Sequence, residues 1–453
     1  MVQVSQSHRQ APGPGTIPFL LSLPQFRRDP LNVFFQSALQ YGDVVRYRSL
    51  WTSFQLSNPA DIQQVLQTNV ANYRKGRDYQ ILKSSIGEGL LISEGALWQR
   101  QRKMTQPSFQ SHRVGSFVRI MAEHTERLFE RWERQATGQQ IFDVTPDLMH
   151  LTLNIASETL FTTNLDSEIE VIRTALEVGR EYSVDRAWSL IRLPEEIPTP
   201  RNRRYSNALR KFHRIIDQMI AARRKSPERI ADLLTMLMEA RDDNGEPMSD
   251  RQLRDEVATL LTAGHETTSL ALSWACYLLA RHPEVAERIC AEIQFLNGRA
   301  PAYEDLFRLK YTRMVIEEIM RLYPPVWVLS RSAIGDDEIG GYHIPAGSEI
   351  LIFPYITHRH PKWWSEPDKF CPDRFSPDNS SGRPRFAYLP FGGGPRTCVG
   401  LNFAMTEIQV VLALLLQRFR LEPGEEDDEV HLDPSVTLRP LPGVRIKLKL
   451  TEK

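Results

Sequence analysis

The chain of 453 residues lacks the features that direct a protein to a membrane, to an oxidising compartment or to a polyanion. Its 56 basic and 56 acidic side chains cancel, so it has no overall attraction to nucleic acid. Its four cysteines include no Cys-x-x-Cys pair, a usage typical of a reducing compartment. No apolar run approaches the ~18 residues that a membrane span needs. We therefore expect a cytoplasmic protein that has no transmembrane anchor and does not bind nucleic acid.

The spacing of apolar residues predicts a mainly α-helical protein with small β-sheets, an α+β fold. From about residue 60 to 290, apolar positions recur three and four residues apart, as they do in amphipathic helices. Residues 43–57 alternate as in strands. Strand-like, turn-rich sequence returns at 326–356 and 436–449. The small sheets are therefore expected to combine segments from both ends of the chain.

The domain organisation follows from what separates these segments. Residues 1–15, which include Ala11-Pro-Gly-Pro-Gly15, predict a flexible arm that cannot be helical. No internal repeat or low-complexity linker interrupts the remainder, so we expect one domain over residues 16–453.

The longest predicted helix contains a polar patch in its middle. Ser249 and Gln252 have the spacing of a capping box at its start, and His282-Pro283 ends it. The patch is Ala263-Gly-His-Glu-Thr-Thr268, in which the glycine costs about 1 kcal/mol relative to alanine. Adjacent threonines also compete for backbone carbonyls. Such a conflict often marks a functional site, although a kinked core helix with back-bonded threonines would have the same sequence.

The most informative segment is Phe391-Gly-Gly-Gly-Pro-Arg-Thr-Cys398-Val-Gly400, a cysteine in a glycine-rich loop before an apolar helix. Glycines let backbone amides turn toward the sulfur, and the helix adds the positive end of its dipole. Both effects lower the pKa of a thiol and stabilise the thiolate, which suits a metal ligand. Arg396 could pair with an anionic group of a cofactor. The alternative is a buried structural cysteine in a turn.

This segment resembles the cytochrome P450 signature Phe-x-x-Gly-x-Arg-x-Cys-x-Gly, and its five fixed residues are all present. The resemblance extends from the proline-rich arm almost to the end of the chain. It implies the P450 fold, in which haem b lies between a long central helix and the helix that follows the cysteine. It also implies that Cys398 is the ligand of the haem iron.

The same resemblance implies roles for residues elsewhere. Glu266 and Thr267 take the acid and alcohol positions of the oxygen-activation motif, where they would deliver protons to dioxygen. Glu318 and Arg321 match the family's Glu-x-x-Arg and, with Arg374, would brace the loop beneath the haem. The residues that would contact the haem are Trp98, Arg102, Ala263, Arg331, Phe391, Arg396, Cys398 and Gly400.

The activity implied by the resemblance is that of a monooxygenase. Such an enzyme inserts one atom of dioxygen into a C–H or C=C bond of a hydrophobic small molecule, here a fatty acid, a terpenoid or a secondary-metabolite intermediate. A haem-thiolate peroxygenase, an isomerase or dehydratase, and a haem sensor or carrier remain as alternatives. The substrate pocket would be lined by Ile81, Leu82, Leu260, Val326, Trp327, Val328 and Leu438.

The electrons for this reaction are expected to come from another protein. The sequence has no iron–sulfur cysteine cluster and no complete flavin or nicotinamide fingerprint, and Gly87-Glu-Gly89 lacks the rest of a dinucleotide motif. A ferredoxin or flavodoxin with its NAD(P)H reductase is therefore implied. Arg100, Lys103 and Arg113 predict a basic docking surface for it. We expect the protein to be a monomer.

Overall fold

Helices dominate the computed structural model of the chain. It describes residues 9–15, 24–48, 51–162, 168–189, 193–226, 232–242, 244–425 and 430–451. The small β-sheets among these residues confirm the predicted fold class. The described residues group into two compact units, each of which is taken in turn below. The expectation of one domain over residues 16–453 stays a prediction.

The first unit takes its described residues from Met1–Gln80, Val326–Lys369 and Ser380–Cys398. Its centre is a five-stranded sheet, whose second and third strands run parallel while the other neighbours are antiparallel. In spatial order these strands are Val44–Arg48, Thr52–Leu56, Glu349–Ile352, Leu329–Ala333 and Tyr73–Lys75. The prediction of strands within 43–57 is thereby confirmed for the described part.

Apolar side chains on this sheet form the core of the first unit. Phe54, Leu56 and Ile350 are at most 1% exposed. A hairpin of Asp337–Ile339 and Tyr342–Ile344 adds two more strands. Helices of this unit include Pro30–Tyr41, Pro59–Gln63 and Pro354–Thr357, residues 24–28 are also helical, and a π-helical turn lies at Gln64–Thr68.

The described part of the N-terminal arm, residues 9–15, packs against this sheet. The Arg46 amide donates a hydrogen bond to the Pro12 carbonyl at 2.7 Å, and Ala11 is 1% exposed. An edge strand offers unpaired amides to an extended segment, which explains this contact. The flexible arm expected over residues 1–15 stays a prediction. Residues 1–8 lie outside the described residues.

The second unit takes its described residues from Ile81–Pro325, Phe370–Asn379 and Val399–Lys453, and it is mainly helical. The helix Tyr79–Ile86 contributes its residues from Ile81 onward. The other helices of at least eight residues are Gly95–Thr105, Ser111–Thr137, Thr145–Phe161, Ile169–Trp188, Pro200–Lys225, Asp250–Arg281, Pro283–Ile293, Lys310–Leu322 and Leu401–Arg418. Within the described ranges, none of the helices combines the length and apolar character that a membrane span requires.

Two small sheets complete the second unit. One has Arg445–Leu450 as its middle strand, paired antiparallel with Ile141–Asp143 and with Phe419–Pro423. The other pairs His431–Pro434 with Leu438–Leu441. Both sheets therefore include strands from the last part of the chain, and the first also takes a strand from the helical middle.

The helix Asp250–Arg281, called the long helix below, is the longest described helix. Its 32 residues span ~48 Å at about 1.5 Å per residue. The Ser249 hydroxyl accepts a hydrogen bond from the Gln252 amide at 3.2 Å, which confirms the Ser249 half of the predicted capping box. The Gln252 side-chain oxygen instead accepts from the Arg100 guanidinium at 3.4 Å. The helix packs on Thr145–Phe161, whose Thr152 hydroxyl donates to the carbonyl of His265 at 2.9 Å. The polar patch is thus fixed within a packed helix pair.

The helix Leu401–Arg418 buries a carboxyl group. Glu407 is 0% exposed, and neither of its carboxyl oxygens has a hydrogen-bond partner. Burial raises the pKa of Glu407 well above its ordinary value of 4.5, because the charged form would lose its hydration without gaining a partner. The folded protein therefore binds a proton at Glu407 that the unfolded chain releases.

We predict that Glu407→Gln makes stability less dependent on pH. In the wild type, the unfolded chain loses this proton near pH 4.5 and the folded protein only at higher pH, so the free energy of unfolding falls as pH rises between these values. The variant should lack this fall, so its stability relative to the wild type should rise as the pH increases above about 4.5. Urea unfolding at several pH values measures the difference. The exposed Glu130, changed to Gln, is the control, and an advantage of Glu407→Gln that is constant with pH would contradict the raised pKa.

Candidate active site

The cysteine loop, residues 391–398, presents a thiol at the surface of the first unit. The Cys398 amide donates to the Phe391 carbonyl at 3.0 Å, which closes the loop. Gly394 has φ +67°, and a Cβ at this position would lie 1.8 Å from the carbonyl oxygen of Leu66. The Cys398 side chain is exposed. These observations argue against a buried structural cysteine and favour a ligand that points away from the loop.

Two arginines and a tyrosine of the first unit meet in a cationic cluster. Arg331 is 5% exposed, and its guanidinium hydrogen-bonds to the hydroxyl of Tyr79. Burial raises the pKa of Tyr79 above its ordinary value of 10, while the nearby charges of Arg331 and Arg396 act in the opposite direction. Two guanidiniums at one partly buried place favour an anionic partner. Sequence analysis found both arginines but missed Tyr79, because nothing in the sequence relates it to a residue so distant.

These two features of the first unit fit haem b. A thiol on a glycine-shaped loop supplies an axial sulfur ligand for iron. The cationic cluster supplies partners for carboxylates of the propionate kind. Cys398, Arg331 and Arg396 are among the residues that the P450 resemblance singles out, although the role of each residue stays a prediction.

The polar patch of the long helix forms without a break in the helix. The Thr267 hydroxyl donates to the Ala263 carbonyl at 2.9 Å, and the Thr268 hydroxyl donates to the Gly264 carbonyl at 3.1 Å. The back-bonding that the sequence left open as an alternative therefore occurs, within an uninterrupted helix. Each hydroxyl oxygen can still accept a hydrogen bond. Ala263 is exposed and Thr267 half-buried, so this face of the helix is accessible to a small molecule.

Glu266 is held by two residues from the C-terminal part of the second unit. Its carboxylate accepts a hydrogen bond from the Thr437 hydroxyl at 2.8 Å, and the Arg439 guanidinium lies 3.4 Å away. The side chain lines a cavity of about 40 Å³ with the helices Thr145–Phe161 and Ile169–Trp188. Since a water needs about 10–15 Å³ of such volume, this cavity has room for two or three waters. Sequence analysis did not link these partners to Glu266, which lies 171 residues from Thr437.

Glu318 and Arg321 form the predicted ion pair, and both side chains are 0% exposed. The Glu318 carboxylate accepts two hydrogen bonds from Arg321, at 2.6 and 2.8 Å. It also accepts one from Arg374 at 3.3 Å and one from the Cys371 amide at 2.8 Å. The trio expected from the resemblance therefore meets at a single carboxylate. An i, i+3 ion pair contributes little to stability at a surface. Because this pair is buried, removing one partner would leave an unpaired charge and destabilise the fold.

Trp98 and Arg102 lie one turn apart on the helix Gly95–Thr105, and both are half-buried. Their contact with a haem stays a prediction. Arg100, by contrast, turns inward. Its guanidinium lies 3.3 Å from Asp242 and donates to two backbone carbonyls of the same segment. The predicted docking surface therefore has less free charge at Arg100 than sequence analysis expected.

The residues predicted to line the substrate pocket differ in burial. Half-buried positions are occupied by Ile81, Leu82, Val326 and Val328. Leu260 and Trp327 are 6% and 7% exposed, and Leu438 is 0% exposed. The backbone of Leu438 is also fixed, because its amide donates to Pro325 and its carbonyl accepts from Trp274. Leu438 therefore has a core position, and the pocket assignment of all seven residues stays a prediction.

We predict that Gly394→Ala abolishes the thiol-presenting loop whereas Gly382→Ala does not. Both glycines have positive φ, so an alanine at either costs about 1–2 kcal/mol of backbone strain. Only at Gly394 does the new Cβ also meet a backbone oxygen, while nothing lies within 4 Å at Gly382. Haem content per protein and the absorption of the reduced carbon-monoxide complex measure the outcome. Equal effects of both variants would mean that close approach to Leu66 is unimportant.

We predict that Glu318→Ala destabilises the protein by about 3–5 kcal/mol, because Arg321 would be left buried without its counter-charge. The pair of Arg288 and Asp373 is the matched control, since it is also bidentate but 51% and 45% exposed. Arg288→Ala should cost less than about 1 kcal/mol. Chemical unfolding measures both values. A small effect of Glu318→Ala would show that the buried pair does not support the fold.

Comparison with known proteins bears on the whole chain. The family model described as Cytochrome P450 matches residues 11–448. Cyclooctatin synthase from Streptomyces melanosporofaciens is 35% identical, over 97% of this chain and 94% of that protein. Cyclooctat-9-en-7-ol 5-monooxygenase from the same organism is 34% identical, over 90% of this chain and 89% of that protein.

A solved structure is similar as well. The crystal structure of the cytochrome P450DA haem domain superposes with a TM-score of 0.88 at 27% identity, covering 98% of both chains. Family model, relatives and fold thus agree over nearly the full length. The chain belongs to the cytochrome P450 family.

Proposed function

We propose that this P450 oxygenates a cyclic, largely hydrocarbon substrate of the terpenoid class. Membership of the P450 family gives the chain monooxygenase activity, and the substrate class is what we propose in addition. Its support is the name of a relative at 34% identity, which describes oxygenation of an alicyclic alkenol at position 5. The predominantly apolar side chains predicted for the pocket agree with such a substrate, because hydrocarbon surface is removed from water when it binds.

The cofactor is haem b, and dioxygen is the co-substrate. When bound through a thiolate, haem favours cleavage of the O–O bond, so that one oxygen atom enters the substrate and the other leaves as water with two electrons and two protons. We infer that Cys398 is the iron ligand and that Phe391 and Gly400 shape its surroundings. We also assign contacts with the haem to Trp98, Arg102, Ala263, Arg331 and Arg396.

The observation that carries the dioxygen-dependent reaction is the position of Glu266 and Thr267. Thr267 lies on the accessible face of the long helix, where its hydroxyl can accept a hydrogen bond from water or orient a proton donor. Glu266 lines a cavity large enough for two or three waters and is held there by Thr437 and Arg439. An acid beside internal water can act as a proton donor or relay. This arrangement favours a monooxygenase over a peroxygenase, which takes both electrons and oxygen from peroxide.

The electrons come from a redox partner, as is general in the family. We propose that the partner is a ferredoxin or flavodoxin with its NAD(P)H reductase. We also propose that the protein is a cytoplasmic monomer. Support for the docking site comes from Lys103, which is exposed on the helix Gly95–Thr105, and from Arg113 at the start of the next helix.

The test combines the reaction with two neighbouring threonine variants. Purified holoenzyme with reduced ferredoxin and a panel of terpenoid alcohols and fatty acids should yield a hydroxylated or epoxidised terpenoid only when dioxygen is present. Thr267→Ala should still consume electrons, but at least about half of them should form hydrogen peroxide and not oxygenated product, because a proton donor is misplaced. Thr268→Ala should remain coupled, since its hydroxyl makes the same i−4 bond but is buried.

Each arm has an outcome that opposes the proposal. Product formed from peroxide alone at the full rate would favour a peroxygenase, and turnover without reductant would favour an isomerase or dehydratase. Oxygenation of fatty acids in preference to every terpenoid would reject the substrate class. Tight coupling in Thr267→Ala would reject its proton role.

A further inference from the structure

The segment 86–93 is fastened to the long helix by two side-chain carboxyl groups that the proposed mechanism does not use. Asp255 accepts a hydrogen bond from the Glu88 amide at 2.9 Å. Glu256 accepts one from the Leu90 amide at 3.1 Å. Because both acceptors are side chains of one helix and both donors are backbone amides, the bonds fix the path of the segment and not its side chains.

Two glycines make this close approach possible. A Cβ at Gly87 would lie 2.0 Å from the carboxyl carbon of Asp255, and one at Gly89 would lie 2.1 Å from the hydroxyl oxygen of Thr259. Gly87 also has φ +63°, which L-residues rarely adopt. The pair Gly87-Glu-Gly89, which has no dinucleotide to bind, therefore serves to bring backbone against the long helix.

A third contact secures the other side of the segment. The Gln101 side-chain amide donates to the Glu88 carbonyl at 2.8 Å, and the Ser93 hydroxyl donates to the side-chain oxygen of Gln101. Gln101 is 0% exposed. The backbone of the segment is thus hydrogen-bonded both to the long helix and to the helix Gly95–Thr105, which restricts its movement.

Glu256 is buried more deeply than its role as an acceptor requires. It is 0% exposed, and its second carboxyl oxygen has no hydrogen-bond partner. Burial raises the pKa of Glu256 to about 8, with a further contribution from the charge of Asp255 and an opposing one from the Leu90 amide. The carboxyl is therefore mostly neutral near pH 7, and glutamine is a close mimic of it.

The helix places this anchor on the same face as the proposed reaction centre. Ala263 follows Glu256 by seven residues and Thr267 follows it by eleven, which are close to two and three helical turns. The three side chains therefore share one face, with Glu256 ~10 Å along the axis from Ala263. The Leu90 amide meets Glu256 on this face, and Gly89 lies against Thr259, one turn before Ala263. The anchored segment also includes the buried apolar residues Leu90 and Ile92.

We propose that Glu256, supported by Asp255, is a positioning residue for substrate. By fixing the segment 86–93 on the long helix, it sets one wall of the substrate site and so selects the size of molecule that reaches Thr267. The proposal rests on the proposed function, since it takes the face of Ala263 and Thr267 as the place of reaction. Its effect falls on binding of bulky ligands and not on the haem.

The test compares Glu256→Leu, which removes the acceptor at similar size, with Glu256→Gln, which keeps it. Full-length holoenzyme is titrated with imidazole and with 4-phenylimidazole, followed by the haem absorption shift that a nitrogen ligand causes. Glu256→Leu should weaken binding of the phenyl compound at least tenfold and that of imidazole less than twofold. Glu256→Gln should leave both within twofold. Hydrogen exchange of the peptide that contains Glu88 and Leu90 should accelerate at least tenfold in Glu256→Leu alone.

The outcomes separate this proposal from the proposed function. Unchanged exchange and unchanged phenyl-compound binding in Glu256→Leu would overturn the positioning role, and so would equal weakening of both ligands. If Glu256→Leu yields no holoenzyme, Asp255→Leu supplies the same comparison, and a normal result there overturns the proposal. A failure of the proposed function appears instead in the wild type, as absence of dioxygen-dependent product or of thiolate-type absorption.

Discussion

The buried carboxylate of Glu318 is a constraint on which the rest of the second unit depends, because it joins two separate segments of the chain. Two guanidiniums and a backbone amide converge on it from the helix Lys310–Leu322 and from the segment 371–374, in a place without solvent exposure. A buried charge with this many partners is stable, whereas each partner alone would be costly to bury. The Glu318 carboxylate thus joins a helix to an irregular segment. Separating the two would leave a buried charge without its partner.

Other buried carboxyl groups of the second unit show what happens with fewer partners. Glu256 has one amide donor, and the pKa of its carboxyl is raised to about 8. Glu407 has none, and burial alone raises its pKa well above the ordinary value of 4.5. Glu266 is less buried than either, with 15% of its side chain exposed, and it has a hydroxyl and a guanidinium as partners and a small cavity beside it. Of these groups, Glu266 is the one whose surroundings combine a charge partner with space for water, which suits proton transfer.

Glycine allows the backbone to approach a neighbouring element closely in two separate places. At Gly394 the chain passes against the carbonyl of Leu66, and at Gly87 it passes against the carboxyl of Asp255. In each case a side chain would push the loop away from the element that fixes it. One contact shapes the loop that presents Cys398, and the other holds the segment that we assign to the substrate wall. The proposed ligand loop and the proposed substrate wall therefore both depend on backbone brought unusually close to a neighbour.

The sequence by itself determined the fold class, the long helix with its cap, and the residues of the cysteine loop, because these features are written in local spacing: Ser249 to Gln252, Phe391 to Cys398. It also determined that Glu318 and Arg321 would face each other, since three residues make nearly one turn. Only the tertiary structure decided that Tyr79 joins Arg331, that Thr437 and Arg439 hold Glu266, and that Leu438 has a core position. It also decided that Gly87 and Gly89 rest on Asp255 and Thr259. These contacts join residues far apart in the chain, and their energy depends on burial and close approach, which a one-dimensional pattern does not contain.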